Sequence, residues 1–176
     1  MEYYDLNICG LSRKLPVVPL KKGIKIASFN LLGDGELVDI LTKELVKKIK
    51  DIEFDYLIGP EVKVVPLLQE LSRILRKKRY IVCRKEIHGY MVNPLKSKTS
   101  QSLVIDGNDA KILSGMKVVI VDDVVTSGKT MAAISDLMER LDTKVVAKIS
   151  LFKQGDLESE GLKDLIYIRR LPVFAS

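Results

Sequence analysis

The chain has 176 residues, of which 47% are hydrophobic and 30% charged, and its net charge is +6. A chain of this length forms one domain with a sizeable core, and the lack of any apolar run of roughly 20 residues argues against a membrane span. Two cysteines without spaced partners, Cys9 and Cys83, argue against a disulfide framework or a metal site. The opening residues MEYYDLNICG lack the features of a signal peptide, so we expect a cytoplasmic protein.

The predicted elements alternate between strand and helix along the chain. The first helix has a plausible N-cap in Asp34 and apolar residues at the spacing of one helical face. The second helix tolerates Pro66 because the residue falls in its first turn. The predicted strands are 23–29, 54–59, 80–85, 116–123, 143–152 and 164–171, and the predicted helices are 34–50, 65–78 and 129–141.

This alternation predicts an α/β fold with a mainly parallel, twisted sheet and helices on both faces. Such sheets bind ligands beyond the carboxyl ends of their strands. No linker divides the chain, so we predict a single domain with an N-terminal segment at 1–33 and an α/β core at 34–176. The stretch 86–115 shows turn residues and little periodicity, and its first half, to about residue 100, is the best candidate for a mobile lid.

The basic run RKKR at 76–79 has two interpretations. It is either a nucleic-acid patch or a set of cations that complements the carboxyl-terminal end of the preceding helix. The second interpretation is favoured. The net positive charge as a whole fits both a polyanionic partner and a substrate with several phosphates.

The segment VVIVDDVVTSGKT, residues 118–130, carries the strongest functional signal. A triphosphate-binding loop would need a glycine where Asp123 stands, so that function is excluded. The shorter loop from Thr126 leads into a helix whose free N–H groups bind anions, and Gly128 lets the backbone approach closely. One phosphate monoester fits there. Asp122 and Asp123 would repel a phosphate but accept hydrogen bonds from vicinal hydroxyls, and both ligands together make a 5-phosphoribosyl group. The alternative is a pair of acids that merely ends a strand before a helix cap.

This segment resembles the 5-phosphoribosyl 1-pyrophosphate (PRPP) signature of type I phosphoribosyltransferases. LIGPEVKVVP (57–66), YIVCRK (80–85) and GNDAKILSGMKVVIVDD (107–123) resemble the adenine phosphoribosyltransferase branch more weakly. The resemblance implies the type I fold, with 1–33 as a small hood over the base. It also implies a set of site residues. These are Asp122 and Asp123 for ribose, Thr126, Ser127, Gly128, Lys129 and Thr130 for the 5′-phosphate, and Glu61, Val62, Lys63, Arg84 and Lys85 for pyrophosphate.

The activity implied by the resemblance is transfer of ribose 5-phosphate from PRPP to adenine or a 6-oxopurine, which makes the chain an enzyme of purine salvage. Mg²⁺ would accompany PRPP, no residue is assigned as a direct metal ligand or as a catalytic group, and a homodimer is expected. His88 is left outside the catalytic set. The alternative is a catalytically weak PRPP-binding regulatory protein that acts on nucleic acid or on a protein partner. It is suggested by the stretch LKSKTSQ (95–101) and the strand residues 25–28, which lack the acids that the branch places near the base, and by Val64 in the pyrophosphate loop where the family has glycine.

Overall fold

Five apolar strands form one parallel sheet at the centre of the chain, which is described here by a computed structural model covering residues 2–21, 23–155 and 162–175. The sheet order is β10-β9-β8-β4-β5. With elements numbered in chain order, these strands are β4 (Tyr56–Pro60), β5 (Tyr80–Cys83), β8 (Lys117–Val125), β9 (Lys144–Gln154) and β10 (Leu165–Leu171). The helices are α1 (Gly35–Ile49), α2 (Val65–Ile74), α3 (Gly107–Leu113) and α4 (Lys129–Arg140). The predicted α/β class is confirmed.

Helices cover both faces of the parallel sheet. Alternate side chains of β8 point to opposite faces and pack into two different hydrophobic clusters, each with its own pair of helices. Val119 and Val121 are buried in one cluster with apolar residues of α1 and α2. Val118 and Ile120 are buried in a second cluster with residues of α3 and α4. Among the described residues, no helix has the length and apolar character that crossing a membrane would require.

A second, smaller sheet is antiparallel and has the order β1-β2-β3-β11. Its strands are β1 (Tyr3–Ile8), β2 (Leu11–Lys21), β3 (Ile24–Ala27) and β11 (Val173–Ala175). The predicted strand at 23–29 thus belongs to this sheet and not to the parallel one, because β3 pairs with β2 and β11. The segment 1–33 supplies three of the four strands. Within the two predicted segments, positions 1, 22, 156–161 and 176 lie outside the described residues.

Two predicted boundaries are wrong for local reasons. The helix predicted over 65–78 ends at Ile74, since Arg76 has a left-handed φ of 54° and the amide of Lys77 donates to the Ser72 carbonyl at 2.8 Å. The strand predicted to end at Asp123 continues to Val125, because β8 keeps pairing with β9 through Val125 and Lys153. Both acids therefore lie inside a strand.

The basic run at 76–79 is largely engaged by the protein itself. Lys77 donates to the Phe54 carbonyl, and its ammonium lies 4.1 Å from the centroid of the Phe54 ring. Arg79 forms an ion pair with Asp109. Two of the four cations are therefore engaged by Phe54 and by Asp109 of α3, and the predicted role of the run at the end of the preceding helix stays a prediction.

The stretch 86–115, predicted as a loop with a lid, contains a hairpin and a helix. The hairpin pairs β6 (Leu95–Lys96) with β7 (Val104–Ile105), and α3 follows directly. Strands of two residues show no periodicity in a sequence, which is why the hairpin was not predicted. We call residues 95–105 the 95–105 hairpin.

Asp34 connects the small sheet to α1. Its carboxylate accepts from the Leu37 amide at 3.0 Å, so the predicted N-cap is confirmed, and from Arg13 Nε of β2 at 2.7 Å. The hydrogen bond from Arg13, followed by that from the Leu37 amide, lowers the pKa of Asp34. A lowered folded-state pKa stabilises the fold above the unfolded pKa, and that stability is lost as the pH falls through the folded pKa.

Asp34→Ala should therefore lower the free energy of unfolding at neutral pH by about 1–2 kcal/mol, the usual cost of a lost helix cap. The difference from the wild type should shrink in acid. Asp34→Asn is the matched control, because asparagine still caps α1 but loses the charge that pairs with Arg13. Urea unfolding at neutral and acid pH measures both variants. An Asp34→Ala variant as stable as the wild type at neutral pH would contradict this role.

Candidate active site

The loop between β8 and α4 forms an open helix N-terminus. Gly128 is the N-cap residue with a left-handed φ of 74°, and no side chain caps the first turn in the described part of the chain. A Cβ atom at Gly128 would lie 2.9 Å from Leu162 Cγ, so the loop fits tightly against its neighbour. Free N–H groups at a helix N-terminus, together with the helix dipole, form a binding site for an anion.

A small cavity of about 190 Å³ lies in front of this helix start. Its lining combines one acid of the pair with the whole predicted phosphate set: Asp122, Thr126, Ser127, Gly128, Lys129 and Thr130. Asp123 does not line it, as expected for neighbours in a strand whose side chains alternate between faces. The structure thus brings an acceptor for hydroxyl groups and a set of anion-binding donors to the same cavity.

Both acids are buried, with 8% of each residue exposed. Asp122 Oδ1 accepts from the Asp123 amide at 2.9 Å, and Asp123 Oδ1 accepts from the Val124 amide at 2.9 Å. Burial, and next the charge of Asp123, raise the pKa of Asp122 well above its ordinary value. Buried carboxylates that share one short stretch of strand have unused acceptor capacity, which a ligand with hydroxyl groups can satisfy.

The predicted pyrophosphate residues gather where β4 and β5 end side by side. Glu61 forms an ion pair with Arg84, and its other carboxylate oxygen accepts from the Lys85 amide at 2.8 Å. The Glu61 amide donates to the Cys83 carbonyl at 2.8 Å. The side chains of Val62 and Lys63 are exposed on the same turn. Three of the five residues are therefore in direct contact, and the exposed side chains of Lys63 and Lys85 add two cations beside the Glu61–Arg84 pair.

His88 lies next to this cluster although the sequence prediction left it out. Its Nε2 is 3.2 Å from Arg84 Nη2, and its ring stacks on Tyr90 with centroids 5.4 Å apart. Glu61 and His88 thus hold Arg84 between them. The contact fixes the guanidinium at the end of β5.

A larger cavity of about 1120 Å³ lies between the small sheet and the phosphate loop. Thr126 and Ser127 of the loop line one side of it, and the lining from the small sheet includes Tyr4, Leu20, Ile24 and Val173. The two cavities therefore meet at the loop, one side polar and the other mainly apolar. A mainly apolar lining with a few polar groups is the usual composition of a small-molecule site.

The 95–105 hairpin docks along α4, a contact that the sequence did not indicate, although residues 95–100 belong to the stretch predicted as a mobile lid. The Lys98 amide donates to Asp136 Oδ2 at 2.9 Å, and Arg140 Nη1 donates to the Lys96 carbonyl at 2.5 Å. Gln101 Nε2 donates to Thr130 Oγ1 at 2.8 Å, which places the tip of the hairpin on the phosphate loop. No sequence signal indicates the contact between Gln101 and Thr130, because the two residues are 29 positions apart and no motif contains both.

Within the described residues, no group of three or more His, Cys, Asp or Glu side chains is arranged to hold a metal ion.

The fold and the loop together define the type I phosphoribosyltransferase architecture: a parallel sheet, two buried acids near the end of β8, and the open N-terminus of α4 that follows them.

Comparison with known proteins agrees with this architecture. The family model of the phosphoribosyl transferase domain matches residues 32–170, and the chain belongs to this family, whose members are enzymes. The chain is 28% identical over 173 residues to an adenine phosphoribosyltransferase of Petrotoga mobilis, covering 94% of this chain and 95% of that protein. It is 30% identical over 140 residues to an adenine phosphoribosyltransferase of Malacoplasma penetrans, covering 76% and 78%.

Among solved structures, the adenine phosphoribosyltransferase of Thermoanaerobacter pseudethanolicus superposes with a TM-score of 0.74 at 27% identity. The match covers 89% of this chain and 95% of that one. The resemblance on which the sequence prediction relied is thereby confirmed.

Proposed function

We propose that the protein is a Mg²⁺-dependent purine phosphoribosyltransferase that converts PRPP and a base into a nucleoside 5′-monophosphate and pyrophosphate. The observation that carries the proposal is the shared cavity in which buried Asp122 faces the open N-terminus of α4. One group accepts from hydroxyls and the other donates to an anion. A ribose 5-phosphate carries both kinds of ligand on one small molecule.

Each part of the site has a role in this transfer. Asp122 accepts hydrogen bonds from the ribose hydroxyls in the small cavity, and the loop 126–130 donates to the 5′-phosphate. The ribose role predicted for Asp123 stays a prediction, because Asp123 does not line this cavity. The bond from C1 of the sugar to pyrophosphate breaks and its electron pair leaves with pyrophosphate, while a ring nitrogen of the base forms the new bond to C1 and its proton passes to solvent. Arg84, Lys85 and Lys63 stabilise the negative charge that grows on the leaving group.

The residues present fit Mg²⁺ bound mainly through the substrate. Mg²⁺ is usually held by one or two carboxylates together with substrate phosphates and water, rather than by a cage of protein side chains. The cavity offers the Asp122 carboxylate beside the proposed phosphate-binding loop, and Asp123 follows Asp122 in β8. When bound, the ion would neutralise charge on the leaving pyrophosphate.

The larger cavity is the proposed place for the base. It adjoins the phosphate loop through Thr126 and Ser127, and residues of the small sheet supply an apolar wall. Adenine is the favoured acceptor because the relatives named above carry that activity in their names. A 6-oxopurine is the second possibility, since the 95–105 hairpin has no acid to read an amino group. A homodimer is part of this proposal and is tested by light scattering of the purified protein.

The deciding experiment supplies PRPP and Mg²⁺ together with adenine, hypoxanthine, guanine, xanthine, uracil or orotate, each separately, and measures pyrophosphate release and nucleotide formation. Turnover with one purine supports the proposal and names the acceptor. Binding of PRPP without turnover of any base would overturn it.

A second candidate function is a regulatory protein that binds PRPP without transferring it. The observation in its favour is the ion pair between Glu61 and Arg84, which engages a cation that the leaving group would need. Action on nucleic acid gains little support, because Lys77 and Arg79 of the basic run already bind groups of the protein. A protein partner remains the alternative within this candidate.

Glu61→Gln tests whether the ion pair restrains Arg84. Removing the carboxylate charge should raise the affinity for pyrophosphate by about tenfold, because a freed guanidinium can donate charged hydrogen bonds to the anion. Titration calorimetry with pyrophosphate measures the change. Glu86→Gln, an exposed acid near the same strand end, is the matched control and should bind as the wild type does. Weaker binding by Glu61→Gln would show instead that Glu61 holds Arg84 in its working position.

A further inference from the structure

The 95–105 hairpin places one side chain on the phosphate loop. Gln101 Nε2 donates to Thr130 Oγ1 at 2.8 Å, and Thr130 lines the small cavity that Asp122 also faces. The contact joins the hairpin to a hydroxyl that the proposed function assigns to the 5′-phosphate. It is a contact between two side chains, so its effect depends on the chemistry of the hydroxyl group.

A threonine hydroxyl has one proton to donate and two lone pairs that accept. Because the Gln101 amide donates to one lone pair, the proton of Thr130 stays available for an acceptor in the cavity. We infer that Gln101 is a positioning residue for the 5′-phosphate, which keeps the Thr130 hydroxyl in the role of donor toward the anion. The amide, the hydroxyl and a phosphate oxygen then form a chain of hydrogen bonds that polarise one another. This inference rests on the proposed function of the loop.

The hairpin tip holds Gln101 in place before any ligand arrives. Thr99 Oγ1 donates to the Gln101 carbonyl at 2.8 Å. Ser97 Oγ accepts from the Leu103 amide at 2.9 Å, and Leu103 is buried in the core beside α4. The backbone that carries Gln101 is therefore fixed on both sides of the residue, and little backbone freedom is lost when the Gln101 amide contacts Thr130.

The same hairpin is fixed to α4 at two further points. Asp136 accepts from the Lys98 amide and Arg140 donates to the Lys96 carbonyl. An anion that favours the oriented Thr130 hydroxyl must, by thermodynamic reciprocity, also favour the docked hairpin. Binding of the 5′-phosphate should thus protect the hairpin, and loosening the Gln101 contact should weaken phosphate binding.

The test uses ribose 5-phosphate as the probe in titration calorimetry of the full chain, with unphosphorylated ribose as the blank. Gln101→Ala should lower the affinity about fivefold to tenfold, the size of one net hydrogen bond. Gln101→Glu should lower it further, because the glutamate carboxylate accepts the hydrogen bond of the Thr130 hydroxyl, which then no longer donates to the anion, and because its charge repels the phosphate. Thr130→Val removes the donor itself and should lower the affinity at least as much as Gln101→Ala does. The double variant should lose no more than Thr130→Val alone, since both substitutions break the same chain of hydrogen bonds. With PRPP, Gln101→Ala should raise KM and leave kcat nearly unchanged.

Asp136→Asn is the control that separates orientation from docking. It weakens the contact to the Lys98 amide and leaves both Gln101 and Thr130 intact. Its affinity for ribose 5-phosphate should stay within about twofold of the wild type, while hydrogen exchange of the Lys98 amide accelerates. Ribose 5-phosphate should slow that exchange in the wild type and not in Gln101→Ala.

Four outcomes overturn the inference. Wild-type affinity in Gln101→Ala, additive losses in the double variant, or equal losses in Gln101→Ala and Asp136→Asn would each remove the positioning role and leave the proposed function standing. A wild-type protein that does not bind ribose 5-phosphate at all would remove both. Conversely, the expected pattern of affinities in a protein that transfers ribose to no base would keep the inference for the phosphate loop and defeat only the transferase.

Discussion

Replacing Asp122 and Asp123 together by asparagine is expected to lower the affinity for PRPP at least about 100-fold. A hydrogen bond to a charged acceptor contributes about 1.5–3 kcal/mol, and the predicted ribose site uses one or more on each acid. Asparagine keeps an oxygen where Asp122 accepts from the Asp123 amide, so the local strand should persist. Titration calorimetry with Mg²⁺ and PRPP measures the loss.

The same double variant should be more stable than the wild type at neutral pH. Burial raises the folded-state pKa of Asp122 above its ordinary value, which means that the folded chain holds this proton more tightly than the unfolded chain does. Stability contributed by a group with a raised acid pKa falls as the pH rises above the unfolded pKa. Asparagine has no such proton, so the advantage of the variant should grow from acid toward neutral pH. Urea unfolding across this range tests the sign.

Asp39→Asn is the control for both measurements, because Asp39 lies on α1, where its carboxylate forms an ion pair with Lys43 and does not line the small cavity. It should change neither PRPP affinity nor the pH dependence of stability. Unchanged PRPP affinity in the double variant at Asp122 and Asp123 would eliminate the ribose assignment. A double variant that is less stable than the wild type at neutral pH would mean that the charged pair supports the fold.

Gly59→Ala should lower the free energy of unfolding by about 3 kcal/mol, in the range of overpacked cores. A Cβ atom at Gly59 would lie 2.6 Å from the Val121 carbonyl oxygen and 3.0 Å from Val64 Cγ1. The first of these is backbone of the neighbouring strand, which cannot move aside as a flexible side chain does. Val121 directly precedes Asp122, so the strain should also reduce PRPP affinity in the fraction that folds.

Gly35→Ala is the matched control, since a Cβ atom there meets nothing within 4 Å. Its residue opens α1, where alanine favours the helix, so its stability should equal or slightly exceed that of the wild type. Urea unfolding followed by circular dichroism compares the two variants. Equal stability of both alanine variants would contradict the prediction, because it would show that a methyl group fits between β4 and β8 at Gly59.

How much of this site follows from the sequence depends on whether the signal is local. The helix α1 was predictable because its cap, Asp34, and its apolar spacing lie in one stretch, and the phosphate loop because its residues are contiguous. The ion pair of Glu61 with Arg84 and the contact of Gln101 with Thr130 join residues far apart in sequence. These partners come together only in the folded sheet, and no rule of sequence spacing predicts either contact.

The strands β1 and β2 of the small sheet were missed for a different reason, whereas β3 was predicted as the strand 23–29. β2 contains Pro16 and Pro19, and proline lacks the N–H group that a strand interior uses, so the pattern argues against a strand. The structure accommodates Pro19 next to a register shift in the pairing of β2 with β3. β1 has only two buried residues, Leu6 and Ile8, which is too weak an alternation to predict a strand by itself.

The pairing of β3 with β11 has a consequence for biosynthesis. Residues 173–175 leave the ribosome after the whole parallel sheet, yet they complete the sheet that begins with residues 3–8. During translation one hydrogen-bonding edge of β3 therefore stays unpaired until β11 emerges from the ribosome. Among the described elements, the wall of the proposed base cavity is therefore completed after the proposed phosphate loop has been synthesised.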